Sequence, residues 1–531
     1  MQPAEPSAFS PLRHPVFRAL WIAAIISNIG TWMQAVAAAW LMTSLTISPV
    51  LVSLVQVSNS LPMFLLALPA GALADIIDRR RLLLFAQTWM LAAAAFLGIL
   101  ALYGEVNIWI LLFITFSLGV GAALNAPAWQ AIVLDVVPRS DLTAAVSLNS
   151  AGFNVARAVG PTLGGALIAA AGASVVFLIN AASFLGVVLV LFLWRRKPTH
   201  KVLPTERIYG AMRTGLRYVR HAPALRAVFL RAASFTIFGA AIVALLPLIV
   251  RFELNRGPTA YGVLLGFFGG GSVFGAIFLQ SIRRRMRVNL LIDLSTLLFA
   301  FTLFIIGISR NFTILSAAMF VSGLTWLLLF STYNASTQAV VPLWVRGRAL
   351  SFYLLIFFGG LSGGSVLWGV VAEATSVSLS LIIAALGTIL GLLATRSFSM
   401  LKTEEMELEP AMDWPTPTLV GSEPEAEQGA VMVTIEYSID PARRSGFISA
   451  MRKVRQIRRR DGAMRWGLGR DTTDPGRFVE FYVVESWIDH LRQHERLTVA
   501  DRSIFEHARS FHMGNEPPAV SHFVFVSEKD R

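Results

Sequence analysis

From Phe17 to about Met400 the chain repeats long apolar runs, each of at least about 18 residues, the length a helix needs to cross a bilayer. A helix satisfies its own backbone hydrogen bonds, so such runs can enter lipid where an open strand cannot. They constrain the fold to a polytopic helical membrane protein, in keeping with a hydrophobic content of 55%. Met1 to Pro15 is polar and the first run lacks a small-residue cleavage site, so the first span is expected to be retained. The absence of cysteine excludes disulfides and thiolate metal sites.

The runs divide into twelve expected spans, at about 17–42, 50–74, 82–103, 107–134, 143–171, 173–194, 226–250, 260–282, 288–308, 312–341, 349–372 and 378–400. The net charge of +13 is distributed unevenly. Alternate loops hold Arg79 to Arg81, Arg139, the run from Arg195 to Arg226, Arg283 to Arg287, and Arg346 with Arg348, whereas the opposite loops hold only Arg251, Arg256 and Arg310. Positive charge gathers on the cytoplasmic side, which places both termini there.

An internal repeat divides the spans into two halves. Asn125-Ala126 followed by Gln130-Ala131-Ile132-Val133 answers to Asn334-Ala335 followed by Gln338-Ala339-Val340-Val341. Gly160, Gly164 and Gly165 answer to Gly359, Gly363 and Gly364, and Gly71 with Arg79-Arg80-Arg81 to Gly275 with Arg283-Arg284-Arg285. Parallel repeats of this kind place a substrate site between the halves and work by rocking. The expected organisation is a six-helix half at 1–194, a cytoplasmic central loop at 195–225 and a second half at 226–402. An acidic, proline-containing linker at 403–429 and an α+β cytoplasmic domain at 430–531 follow. The central loop contains an amphipathic surface helix with Ile208, Met212, Leu216 and Val219 on one side.

Past the linker, alternation and periodicity read as strand, helix, two strands, helices and strand, the order of a ferredoxin-like sheet with helices on one face. The sheet's other face must be covered, and dimerisation through this domain is the expectation. His490 and His494 stand four apart on a helix but no third ligand accompanies them, so no metal and no cofactor is expected. Fourteen acids beside seventeen basic residues in this domain argue against nucleic acid.

The stretch Gly71-Ala72-Leu73-Ala74-Asp75-Ile76-Ile77-Asp78-Arg79-Arg80-Arg81 resembles the loop motif of the major facilitator superfamily, with Ile76 in place of its arginine and Asp78 in place of its glycine. Gly160-Pro161-Thr162-Leu163-Gly164-Gly165 is similar to the fifth-helix motif of exporters in that superfamily. Ser27-Asn28-Ile29-Gly30-Thr31-Trp32-Met33-Gln34, Asn125-Ala126-Pro127-Ala128 and Asn154-x-x-Arg157-x-x-Gly160-Pro161 resemble its enterobactin-exporter-like branch, the transmembrane secretion effectors. The tail's strand order is similar to the small dimeric α/β barrels, which include antibiotic-biosynthesis monooxygenases. The resemblance implies a non-enzymatic, multi-pass bacterial inner-membrane exporter of small hydrophobic or amphipathic molecules, siderophores and drugs among them, driven by protons. A membrane-tethered oxidoreductase whose tail acts on or senses a metabolite is the alternative, and an importer is a third reading.

Arg157 is the one clear charge in mid-span, and such a residue ordinarily faces a cavity or a partner. It is a candidate for binding an anionic substrate group, or a structural residue bonded to helix carbonyls. Asn28, Gln34, Asn125 and Asn154 are candidate cavity residues, with interhelical bonding the plainer alternative. Trp32, Trp129, Phe267 and Trp326 suit a greasy pocket or lipid contact. Gly71, Asp75, Asp78, Arg79 and Arg80, with Gly160, Pro161, Gly164 and Gly165, are expected to act in gating. No acid lies in mid-span, so Asp135 and Glu253, near span ends, are the proton-coupling candidates.

Overall fold

The computed structural model describes residues 9–194, 218–220, 222–398, 429–514 and 516–525. The acidic linker and most of the expected central-loop helix, including Ile208, Met212 and Leu216, lie outside the described residues, as do the side chains of Asp75, His494 and Glu495. The chain forms two compact units, one of 1–205, 229–334 and 351–398, the other of 206–228, 335–350 and 399–531.

Twelve long helices precede the tail among the described residues: α1 Pro15–Leu45, α2 Pro49–Ile76, α3 Arg79–Tyr103, α4 Ile108–Val136, α5 Leu142–Ala171, α6 Ala173–Leu193, α7 Pro223–Leu248, α8 Pro258–Arg285, α9 Val288–Ile308, α10 Phe312–Ala339, α11 Arg346–Ala374 and α12 Val377–Thr395. Eleven are long and apolar enough to cross a membrane. The exception is α5, which carries Ser147, Asn149, Ser150, Asn154 and Arg157. Large side chains such as Trp109, Phe113, Phe192 and Leu193 stand exposed on these helices, as lipid contact requires. Local signals set the ends: Asp78 caps α3 by accepting from the Arg81 N–H at 3.0 Å, and Gly104 closes it at φ 77°, where a side chain would be strained.

In the first unit α1 packs on α5 and α6, α3 on α4 and α6, and α2 on α4, while α9 packs on α12. Two helix pairs carry contacts between the halves along their length among the described residues. One is α5 with α8. The other is α2 with α11, where the Ser60 and Ser362 hydroxyls are 2.7 Å apart.

The second unit contains a four-stranded antiparallel sheet of β1 Val431–Ser438, β2 Arg465–Arg470, β3 Arg477–Val484 and β4 Ala519–Val524, in the order β2-β3-β1-β4. Helix α13 (Arg444–Asp461) follows β1, and α14 (Trp487–Arg496) and α15 (Val499–Arg509) follow β3. Alternation puts Val431, Val433, Ile435 and Tyr437 into a core with Phe447, Met451 and Val454 of α13, while Phe481 and Phe523 stand exposed on the opposite face. Tyr218, from before α7, also belongs to this unit: it packs edge-on against Trp344 with ring centres 5.6 Å apart and lies 5.5 Å under the guanidinium of Arg460. Arg460 bridges Asp461 and Asp501, at 2.7 Å each. Burial opposes its charge, but the two carboxylates outweigh that and hold its pKa well above the ordinary value.

Candidate functional site

Small residues recur along α5 so that it can fit between two neighbours at once. On one side Gly152, Gly160 and Gly164 face α1: a Cβ on Gly160 would meet Trp32 Cβ at 2.6 Å, and one on Gly164 would meet Met33 Cα at 2.9 Å. On the other side Ala158, Pro161, Thr162 and Gly165 face Gly262, Gly266 and Gly269 of α8. A Cβ on Gly269 would lie 2.5 Å from Ala158 Cα and 2.7 Å from the carbonyl oxygen of Arg157, so the helices touch backbone to backbone there. Of the exporter-like motif, Gly160, Pro161, Gly164 and Gly165 are all buried in these two contacts.

That crossing carries Arg157 to the junction of α1, α5 and α8. Its guanidinium carbon lies 5.8 Å from the ring centre of Trp32 and 5.2 Å from that of Phe268, and no carboxylate or carbonyl pairs with it among the described residues. Ring faces stabilise a cation without neutralising it. Arg157 is partly buried, and its guanidinium donors have no acceptor among the described residues, which keeps them for another group. Behind Phe268 the rings continue through Trp326 at 6.0 Å to Phe235, Phe299 and Phe357.

The four aromatics divide between the two alternatives. Trp32 and Trp326 belong to this cluster, but Phe267 does not: it turns outward, 43% exposed, while its neighbour Phe268 turns in at 8%. One residue is about 100° around a helix, and in a run as apolar as Leu264-Leu265-Gly266-Phe267-Phe268 the inner face cannot be told from the outer. Trp129 packs inside the first half with Leu20 and Ile132.

Three of the four polar candidates are engaged in hydrogen bonds within or between helices. Gln34 is buried and accepts from Asn180 Nδ2 on α6; Asn125 accepts from Gln87 Nε2 at 2.9 Å; Asn154 donates to the Ser150 carbonyl of its own helix at 2.9 Å. Asn28 is partly buried on α1.

The basic loop between α2 and α3 works through helix ends. Arg79 reaches Asp135 Oδ2 at 3.4 Å and the Ala131 carbonyl at 3.2 Å, both on α4. Arg80 donates to the last carbonyls of α6, Leu191 at 2.7 Å and Phe192 at 2.9 Å, where a cation complements the helix dipole. Close approach does not require glycine at position 71, because a Cβ there would meet no atom within 4 Å. Both acids singled out for protons are ion-paired: Asp135 with Arg79, and Glu253 with Arg310 at 2.6 Å.

A second group, not foreseen from the sequence, joins the halves where α1 ends and α2 and α8 begin. Trp40 stacks on Tyr261 with ring centres 6.1 Å apart, and Arg251 lies 5.2 Å over Trp40 and donates to Thr43 Oγ1 at 3.2 Å. Glu373 accepts from Ser48 Oγ at 2.5 Å and from the Val50 N–H at 3.1 Å. Loop arginines and a span-end acid read as topology signals in sequence; only their pairing across the halves shows this role.

The model of the family described as transmembrane secretion effector matches residues 6–530. The chain belongs to this family. This transmembrane secretion effector is 24% identical over 367 residues to the staphyloferrin A transporter of Staphylococcus aureus, covering 68% of this chain and 90% of that protein. It is 26% identical over 385 residues to the multidrug efflux pump Tap of Mycolicibacterium fortuitum, covering 69% and 93%. Among solved structures, the effector matches a bacterial homologue of the human lysosomal transporter Spinster, inward-facing and unoccupied, with a TM-score of 0.58 at 14% identity over 74% of this chain and 97% of that one. The nucleoside transporter NupG matches with a TM-score of 0.60 at 12% identity, over 72% and 99%. The effector is thus a major facilitator transporter in fold and family.

Proposed function

We propose that this protein exports small amphipathic molecules bearing an anionic group, by alternating access between its two halves, with all twelve long helices in the bilayer and both termini in the cytoplasm. The observation that carries the reading is Arg157: a mid-span guanidinium flanked by Trp32 and Phe268 without an acid partner among the described residues. In the low dielectric of a membrane interior an uncompensated cation is costly, and an arriving anion offsets that cost while its apolar body meets the rings. The relative named as a multidrug efflux pump supports the outward direction, and the one named as a staphyloferrin A transporter supports a small-molecule cargo.

On this reading the contacts of Trp40, Tyr261, Arg251 and Glu373 close the outer side, and the tight α5–α8 crossing is the pivot. The loop from Gly71 to Arg81 anchors α3 as the halves rock. Proton antiport would use Asp135 or Glu253, whose ion pairs protonation would release. The tail, read as a ferredoxin-like module, regulates and pairs with a second copy through the face bearing Phe481 and Phe523.

The test is transport in everted vesicles with an anionic naphthalenesulfonate dye as probe. Uptake that collapses with the pH gradient and is lost in Arg157→Ala supports the proposal. Uptake that persists without the gradient removes the antiport step, and dye handling identical in Arg157→Ala removes the site.

A further inference from the structure

The second unit carries a cleft of about 290 Å³ between α13 and β2, the edge strand of its sheet. Its floor is apolar, formed by Met451, Trp466, Leu468 and Phe478. Its rim is cationic, formed by Arg444, Arg452 and Arg455 on α13 and by Arg470 on β2. Helical spacing brings Arg444, Ile448, Met451 and Arg455 to one side of α13, and strand alternation brings Trp466, Leu468 and Arg470 to the sheet face that meets it.

Two features distinguish this cleft from an ordinary solvated helix face. No carboxylate lines it, and none of the four rim arginines makes an ion pair among the described residues, although elsewhere in this unit Arg458, Arg460 and Arg477 are all paired. The floor is also held in place: Trp466 Nε1 donates to the fully buried Glu480 at 3.0 Å, and Arg458 donates to the same carboxylate oxygen at 3.2 Å. The indole therefore offers a fixed face, and Arg455 stands 5.9 Å from its centre. A concave apolar floor under a rim of unpaired guanidinium groups is complementary to a small molecule with an apolar body and one anionic head. The volume holds about ten water-sized groups at roughly 30 Å³ each, room for a short chain or a single ring system.

We propose that this cleft binds a small amphipathic anion, its carboxylate, sulfonate or phosphate held by Arg455 and Arg470 and its apolar part laid on Trp466 and Met451. The assignment rests on the geometry of the cleft and stands apart from the transport site at Arg157. It gives the tail a ligand of the same chemical type that Arg157 with Trp32 and Phe268 is suited to meet.

The test uses the full chain carrying Arg157→Ala, in nanodiscs of phosphatidylcholine, titrated by calorimetry with octyl phosphate, inorganic phosphate and octyltrimethylammonium. Octyl phosphate should saturate one site, with inorganic phosphate and the cation far weaker. Arg455→Gln with Arg470→Gln should weaken octyl phosphate by about tenfold or more, as loss of charge-assisted bonds does. Arg459→Gln, on the same helix but outside the cleft, should leave it unchanged. Because the four rim arginines are exposed, these substitutions leave the core intact, and an unchanged unfolding temperature checks it. Repeating the titration in phosphatidylglycerol nanodiscs separates the sources: competition that the double substitution abolishes supports the site with a lipid headgroup as occupant, and no competition supports it with a soluble anion. Absence of saturable binding, equal binding of the cation, or full affinity in the double variant overturns the proposal.

Discussion

Arg157 and Phe268 meet where α5 crosses α8, the guanidinium carbon 5.2 Å from the ring centre, at a crossing so close that Gly269 has no room for a side chain. The two facts are linked. Gly269 lets α8 reach the backbone of α5, and the residue before it thereby places its ring beside the Arg157 guanidinium.

Gly269→Val should part the helices, because the atoms its Cβ meets are Ala158 Cα and the Arg157 carbonyl oxygen, which cannot rotate away. Overpacking of this kind costs about 1–3 kcal/mol. The expected outcome is a protein that reaches the membrane but transports at a small fraction of the wild-type rate, measured as dye efflux normalised to protein in the membrane. The equivalent change at Gly270, where a Cβ meets nothing within 4 Å, should be tolerated.

The contact between α2 and α11 can be locked. Ser60 and Ser362 hydroxyls are 2.7 Å apart, a geometry that a cysteine pair could convert into a disulfide, and the sequence has no cysteine to interfere. Oxidation of the Ser60→Cys, Ser362→Cys variant should arrest transport and reductant should restore it. Full transport by the cross-linked protein, shown by mass spectrometry to be oxidised, would mean that these helices need not separate here.

Glu253 and Arg310 form a partly buried ion pair at 2.6 Å, which Ser378 joins as a hydrogen-bond partner of both. Glu253→Gln and Arg310→Gln should each lower thermal stability, and the double variant should recover part of the loss, with a coupling on the order of 1 kcal/mol. If Glu253 also carries the proton, Glu253→Gln alone should uncouple dye export from the pH gradient. Retained coupling assigns the pair to structure.

His522 on β4 faces the same side as Val433, and burial lowers its pKa below the ordinary 6.5. The unfolded chain then takes up the proton more readily than the folded one. Stability of the sheet should be unaffected above 6.5 and fall as pH drops from 6.5 through the folded-state value. Hydrogen exchange at the β1 and β4 amides should quicken over that window, and His522→Gln should flatten the dependence.

The helical membrane architecture was legible because a span announces itself by length and apolarity alone, and positions such as Gly160, Gly164 and Gly165 stood out as small residues at packing intervals. Arg157 was legible for the opposite reason, as a charge where none is expected. What the sequence concealed was direction. Phe267 and Phe268 are adjacent and chemically identical, and only the packing of α8 against α5 decides which one faces the cation. The roles of Arg251 and Glu373 were hidden similarly, since their partners Thr43, Trp40 and Ser48 lie more than 200 residues away.

The most direct measurement is a comparison of two ligands of equal size, octyl phosphate and octanol, binding to the full chain with the α13–β2 cleft disabled by Arg455→Gln and Arg470→Gln. With Arg157 present, the anion should bind about tenfold or more tighter than the alcohol, the worth of one charge-assisted contact. In Arg157→Ala that preference should vanish while the alcohol's affinity stays within about twofold, since the rings of Trp32 and Phe268 remain. An anion preference that survives Arg157→Ala would contradict the assignment of Arg157 as the group that recognises substrate charge.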